Sequence, residues 1–288
     1  AQLETIAQKL VGRLHEIEYD GVIIYDIQDE SSRIAKPRPF PFKETVDPRE
    51  YSQLLRSLSQ LDVITYKSVA QRGEAEFTEW LNETRNDFEL KNLVLVGSPS
   101  SHGDIKLSLP DAYKTLAKQN SDVFLGGVTI AERHASKRNE HERLVEKTAQ
   151  GCKFFISQAV YNAQATIDLI TSYARSCKAQ GTAPKRIILT FTPCGGEKTL
   201  EFMEWLGISV PEATKYRMLD SANTLSESVR ICRENLDLIL QSCAHLDVPL
   251  GLNIESLTNR KEEIDASINL YRLLKATMEL NLAEKQIA

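Results

Sequence analysis

The chain has no apolar run approaching the ~20 residues of a membrane-crossing helix, and no signal peptide is read at its start. Its five cysteines, Cys152, Cys177, Cys194, Cys232 and Cys243, are odd in number, scattered, and form no C-x-x-C pair. They are read as reduced thiols of a cytoplasmic protein rather than as a disulfide framework. The five histidines show no H-E-x-x-H spacing, so no metal site is expected. There is no Walker loop, no G-x-S-x-G elbow and no G-x-G-x-x-G fingerprint. An excess of positive charge is missing too. The formal net charge is −5, which argues against nucleic acid as the main partner, because phosphate binding needs a basic face.

What is present is an ordinary globular composition, 42% hydrophobic and 26% charged over 288 residues. Short β-branched runs alternate with helical patterns. The runs are Val22–Ile27, Val63–Tyr66, Leu93–Val96, Val123–Ile130, Phe154–Val160, Ile187–Thr192 and Leu250–Ile254. Most are continuously apolar, as strands of a parallel sheet covered by helices are. Between them, Leu3, Ile6, Leu10, Leu14 and Ile17 recur at three- and four-residue spacing. Asp47 before Pro48 marks a helix start, and Gly151 marks a helix end at Gln150.

Strand–helix alternation of this kind implies parallel strands joined by crossover helices. The expected fold is an α/β, (β/α)8 TIM barrel occupying residues 1–288 as one domain. Seven strand runs are visible and a closed barrel needs eight, so a first strand is expected to precede Ala1. An open doubly wound sheet is the alternative.

In a barrel, chemistry gathers after the strands. Asp26, Gln28, Asp29 and Glu30 follow the first run, and Lys67 follows the second, putting a cation in the mouth. Gly97, Ser98 and Pro99 follow the third, and Glu132, Arg133 and His134 the fourth. Gln158 lies within the fifth, with Tyr161 and Asn162 beyond it. Cys194, Gly195 and Gly196 follow the sixth; Glu255, Asn259 and Arg260 follow the last. Asp29 and Glu30 read equally well as solvated loop charges. Gly195-Gly196 is a turn or a backbone cradle for phosphate. Arg133, His134, Lys137 and Arg138 are an exposed basic loop or a pyrophosphate holder. Cys194 has no histidine near it in sequence and reads as a structural thiol. Gln158 is the most pointed candidate, because an amide inside an apolar strand must find a partner, in a neighbour or in a ligand.

The stretch GVTIAERHASKRNEHERLVEKTAQGCKFFISQAVYN, Gly127 to Asn162, resembles the methylenetetrahydrofolate reductases, flavin-dependent barrels of one-carbon metabolism. Leu144, Lys147 and Gly151 match the helix of that pattern, and Ile156, Ser157 and Gln158 the strand after it. The resemblance implies that 5,10-methylenetetrahydrofolate is reduced to 5-methyltetrahydrofolate by hydride from NAD(P)H through FAD. It places Gln158 on the pterin and Glu140 and Lys147 on the FAD tail, with Glu132 and His134 in the loop covering it. It also puts Tyr25 and Ser98 on the cofactor side and Glu255 on the substrate side. A homo-oligomer is implied as well. The chain departs from the family pattern at Ser98, where an aspartate is expected, and in the stretch Val63 to Lys67, which lacks a histidine. The glutamate of the family's first strand has no match here. A folate- or pterin-binding barrel without redox activity is the alternative function, and a non-catalytic interaction protein a further one.

Overall fold

The computed structural model describes residues 2–98, 104–119 and 122–287. The chain divides into two compact units: Ala1–Pro37, Pro41–Val128 and Lys147–Lys153 form the first, and Arg38–Phe40, Thr129–Glu146 and Phe154–Ala288 the second.

The first unit opens on α1 (Gln2–Leu14), β1 (Gly21–Ile24), α2 (Pro48–Ser59) and β2 (Asp62–Ser68). It continues through α3 (Glu74–Asn86), β3 (Asn92–Val96) and α4 (Leu109–Lys118) to β4 (Phe124–Thr129), whose last residue belongs to the second unit. Its strands run parallel in the order β1-β2-β3-β4, with Gly21 opposite Asp62, Ile64 opposite Asn92, and Asn92 opposite Phe124. Leu93, Val94 and Leu95 of β3 are all fully buried, as an uninterrupted apolar strand covered on both faces must be. Local chemistry sets the helix starts. Asp47 accepts the Arg49 amide ahead of Pro48, and Ser108 accepts the Asp111 amide, so each side chain satisfies an amide the helix leaves open.

The second unit holds α5 (Ala131–Lys137), most of α6 (Glu140–Ala149), β5 (Phe154–Ala159), α7 (Ala163–Gln180) and β6 (Arg186–Phe191). Then come α8 (Glu197–Trp205), α9 (Glu212–Leu219), α10 (Thr224–Ser242), β7 (Leu250–Ile254) and α11 (Lys261–Ile287). Strands β5, β6 and β7 are parallel, with Phe154 opposite Arg186 and Ile187 opposite Leu250. Phe155, Ile156, Leu189 and Phe191 form their buried side. Where a simple strand–helix repeat has one helix, the β6–β7 connection has three, so α8 and α9 are additions beyond the strand ends.

The α/β class with parallel strands is as expected. Seven strands, not eight, occur among the described residues. Three strands are shorter than their apolar runs: β4 loses one residue at each end of Val123–Ile130, and β1 and β5 lose their last residues. Tyr25, Asp26 and Ile27 leave β1, where the Asp26 carboxylate accepts the Ser68 amide instead. The fifth strand stops at Ala159 and carries a register irregularity between Ile156 and Ala159. The helix before Gly151 ends at Ala149, and Gly151 takes a φ of +112° that favours glycine. Among the described residues, no helix is long and apolar enough to cross a membrane.

Candidate functional site

The irregularity in β5 is built by Ser157. Its hydroxyl accepts the Thr190 amide at 2.9 Å and donates to the Gln158 carbonyl at 2.9 Å, so a side chain replaces a regular strand bond. Bulges of this kind re-aim the next side chain. That side chain is Gln158, whose Nε2 donates to the carbonyl of Leu206 at 2.9 Å. Three residues further on, the Ser209 amide donates to Oε1 of Glu132 at 3.0 Å. Asn162 Nδ2 reaches the Ser209 hydroxyl at 3.4 Å while its own Oδ1 caps α7 through the Ala165 amide. Three polar side chains from the ends of β4 and β5 therefore converge on residues 206–209, the link between α8 and α9. In that link Gly207 has a φ of +86° and Ile208 is buried. Burial pushes the Glu132 carboxyl up; the Ser209 and Glu132 amides oppose this, and the neighbouring charge of Glu140 adds to the rise.

Glu140 and Lys147, which the resemblance placed against a flavin tail, turn inward instead. Glu140 is fully buried, and its Oε1 accepts the Ile130 amide at 2.9 Å and the Thr129 hydroxyl at 3.3 Å. In the first unit, the Lys147 ammonium donates to the Val128 carbonyl. His134 is buried, with Nε2 3.2 Å from the Ser172 hydroxyl and its ring edge-on to His141, centroids 5.2 Å apart. Glu140 and Lys147 are each spent on backbone groups of their own unit and His134 packs against Ser172 and His141, so none of the three is presented to a flavin. Also in the first unit, Tyr25 meets Tyr66 edge to face at 4.7 Å, and Ser98 is half-buried just past β3. Pro99 lies outside the described residues. Glu255 is half-buried after β7, its amide donating to the Phe191 carbonyl at 3.0 Å.

Lys67 does not point into a barrel mouth. It shares a face of β2 with Thr65, whose hydroxyl donates to Ser52 of α2, and its ammonium lies over the ring of Trp80 in α3 at 5.2 Å. Burial pulls its pKa down against the attraction of Asp26, 3.8 Å away. The glycine pair after β6 is a structural turn rather than a phosphate cradle. The Gly195 amide is already spent on Glu263, a buried carboxylate that also accepts the Thr199 and Thr258 hydroxyls. The basic loop is not one exposed face, since His134 is buried and Arg138 pairs with Asp168 at 3.7 Å. Cys194 is buried, its Sγ near the Gly196 carbonyl at 3.5 Å, and burial pushes its pKa up to about 11. Sequence reasoning missed the roles of Ser209, Leu206 and Glu263, because each acts through a partner far away in the chain. Among the described residues no cluster of three or more His, Cys, Asp or Glu side chains is placed to hold a metal.

No protein-family model matches the chain, and no curated protein does. Among solved structures, it is similar to a protein from Clostridium thermocellum that binds two copies of 5-methyl-5,6,7,8-tetrahydrofolic acid. The two are 34% identical, and the match covers 96% of this chain and 88% of that one with a TM-score of 0.80. Weaker likenesses are N-(5'-phosphoribosyl)anthranilate isomerase from Pyrococcus furiosus, at 12% identity, 96% and 94% coverage and a TM-score of 0.45, and a GH113 β-1,4-mannanase, at 10% identity, 96% and 93% coverage and a TM-score of 0.49. They carry no functional argument. At 34% identity over nearly its whole length, the chain belongs to the family of the Clostridium thermocellum protein.

Proposed function

We propose that this protein binds a reduced folate of the 5-methyltetrahydrofolate type, without redox chemistry of its own. The observation that carries the reading is the 34% identity, across 96% of the chain, to a protein that binds two copies of that ligand. The resemblance around Gln158 points to the same ligand class independently, because it places that amide on a pterin. For the scaffold, the closed eight-stranded barrel is our proposal, supported by the parallel strands; so is association of identical copies, which rests on the family resemblance.

The test is calorimetric titration of the folded protein with 5-methyltetrahydrofolate. Saturable binding is expected, and its absence would end the reading. Reduction of 5,10-methylenetetrahydrofolate through FAD is the second reading, and the match of Leu144, Lys147 and Ile156–Gln158 favours it. Against it stand the inward-turned Glu140 and Lys147. A visible spectrum of the purified protein, followed by anaerobic NADH, separates the two. A flavin band that bleaches would restore the reductase, whereas a colourless protein that binds folate supports the non-redox reading.

A further inference from the structure

We infer that His134 and His141 form a pH-sensitive latch: with both imidazoles neutral they hold α5 against α6 and α7, and a proton taken up by the pair releases α5. The inference stands apart from what the protein binds. His134, on α5, is only 2% exposed, and its ring meets that of His141, on α6, edge to face with centroids 5.2 Å apart. Its Nε2 lies 3.2 Å from the Ser172 hydroxyl of α7, so one imidazole joins three helices. The Nδ1 atoms of both rings are buried with no hydrogen-bond partner. A neutral imidazole can sit in such a place, because it carries one N–H and one bare nitrogen, and His134 has Ser172 for one of the two. An imidazolium carries N–H on both nitrogens. Its Nδ1–H would face no acceptor, and its charge would be buried beside a second ring.

The nearby carboxylates are committed elsewhere. Glu140 of α6 spends Oε1 on the Ile130 amide and the Thr129 hydroxyl, and its Oε2 lies 3.9 Å from Arg143. Asp168 of α7 pairs with Arg138, at the end of α5, at 3.7 Å. Burial pulls the His134 pKa down, His141 and Arg138 lower it further, and Asp168 and Glu140 oppose them. A ring lowered in the docked state favours docking fully above the ordinary histidine value near 6.5. That preference is lost as the pH falls from there towards the lower docked value. The helix so held bears on the candidate site. It follows β4 directly and carries Glu132, whose carboxylate accepts the Ser209 amide between α8 and α9. Release of α5 therefore frees that link as well.

The experiment is hydrogen exchange on the full chain at pH 7.5 and 5.5, corrected for intrinsic rates, a window in which histidines titrate and carboxylates stay ionised. One proton bound near 6.5 by the released form alone multiplies opening about tenfold across it. The amides from Arg133 to Arg138 should lose about tenfold in protection while those of α10 keep theirs. His15 and His245 are exposed and hold no helix in this way. In His134→Phe, which keeps a ring and removes its titrating nitrogens, the loss should disappear. A change below roughly twofold in wild-type α5, or an equal loss in α5 and α10, overturns the inference. An undiminished loss in a folded His134→Phe overturns it too. The wild-type comparison decides alone where the variant does not fold.

Discussion

Glu263 accepts the Gly195 amide at 2.9 Å, and a Cβ added at Gly195 would collide with that same carboxylate. The carboxylate cannot step aside freely, because the Thr199 and Thr258 hydroxyls hold it as well. Gly195→Ala is therefore expected to destabilise the fold by about 1–3 kcal/mol, the usual cost of forcing bulk into a packed site. Urea unfolding of the variant and wild type measures it. An unshifted midpoint would mean that the Glu263 cluster is looser than its hydrogen bonds indicate.

The Arg49 side chain is buried beneath Trp80 and Phe88 and bonds Asp47, Glu83 and the Trp80 carbonyl. Burial would raise the Asp47 carboxyl, but the hydrogen bonds and charge of Arg49 outweigh it and hold that pKa below its ordinary value. A depressed carboxylate adds stability that is present above its ordinary pKa, near 4, and is lost as the pH falls through the lower folded value. Arg49→Met should lower stability at neutral pH by about 1.5–3 kcal/mol, the worth of hydrogen bonds to a charged group. It should also flatten the loss of stability below about pH 4. Thermal melts from pH 2 to 7 test this, and parallel curves for the two proteins would count against the pairing.

All five cysteines are buried and free. Burial pushes Cys232 up to about 12 and Cys243 up to about 11, so little thiolate exists near neutrality. A disulfide-exchange reagent at pH 8 is expected to label none of them in the native protein, and all five after denaturation. Fast labelling of one thiol in the native state would show that its surroundings open.

Gln158→Ala removes the amide that the folate reading places on the pterin. Affinity for 5-methyltetrahydrofolate should fall by about 1–3 kcal/mol, the cost of a buried polar partner left unpaired. Calorimetry on the folded variant decides it, and undiminished affinity would take Gln158 out of the site.

Strand and helix positions were legible in the residues because they arise from neighbours a few positions apart. Continuous apolar runs make β3 and the buried half of β5, and Asp47-Pro48 starts α2 by capping its own first turn. Gln158 was also legible as a polar group that had to find a partner. What it found was not. Glu132 meets Ser209 77 positions away, Gln158 meets Leu206 at 48, and Glu263 meets Gly195 at 68. Those pairings depend on where the folded backbone returns, and no local period encodes them. Lys67 is the opposite case: the two-residue alternation of β2 puts it on the helix-facing side with Thr65, which its standing just after an apolar run does not reveal. Composition and short-range pattern thus settled the α/β class and most element positions. Only the long-range closure of the chain decided which buried polar atoms satisfy one another, and so which side chains are left to meet a ligand.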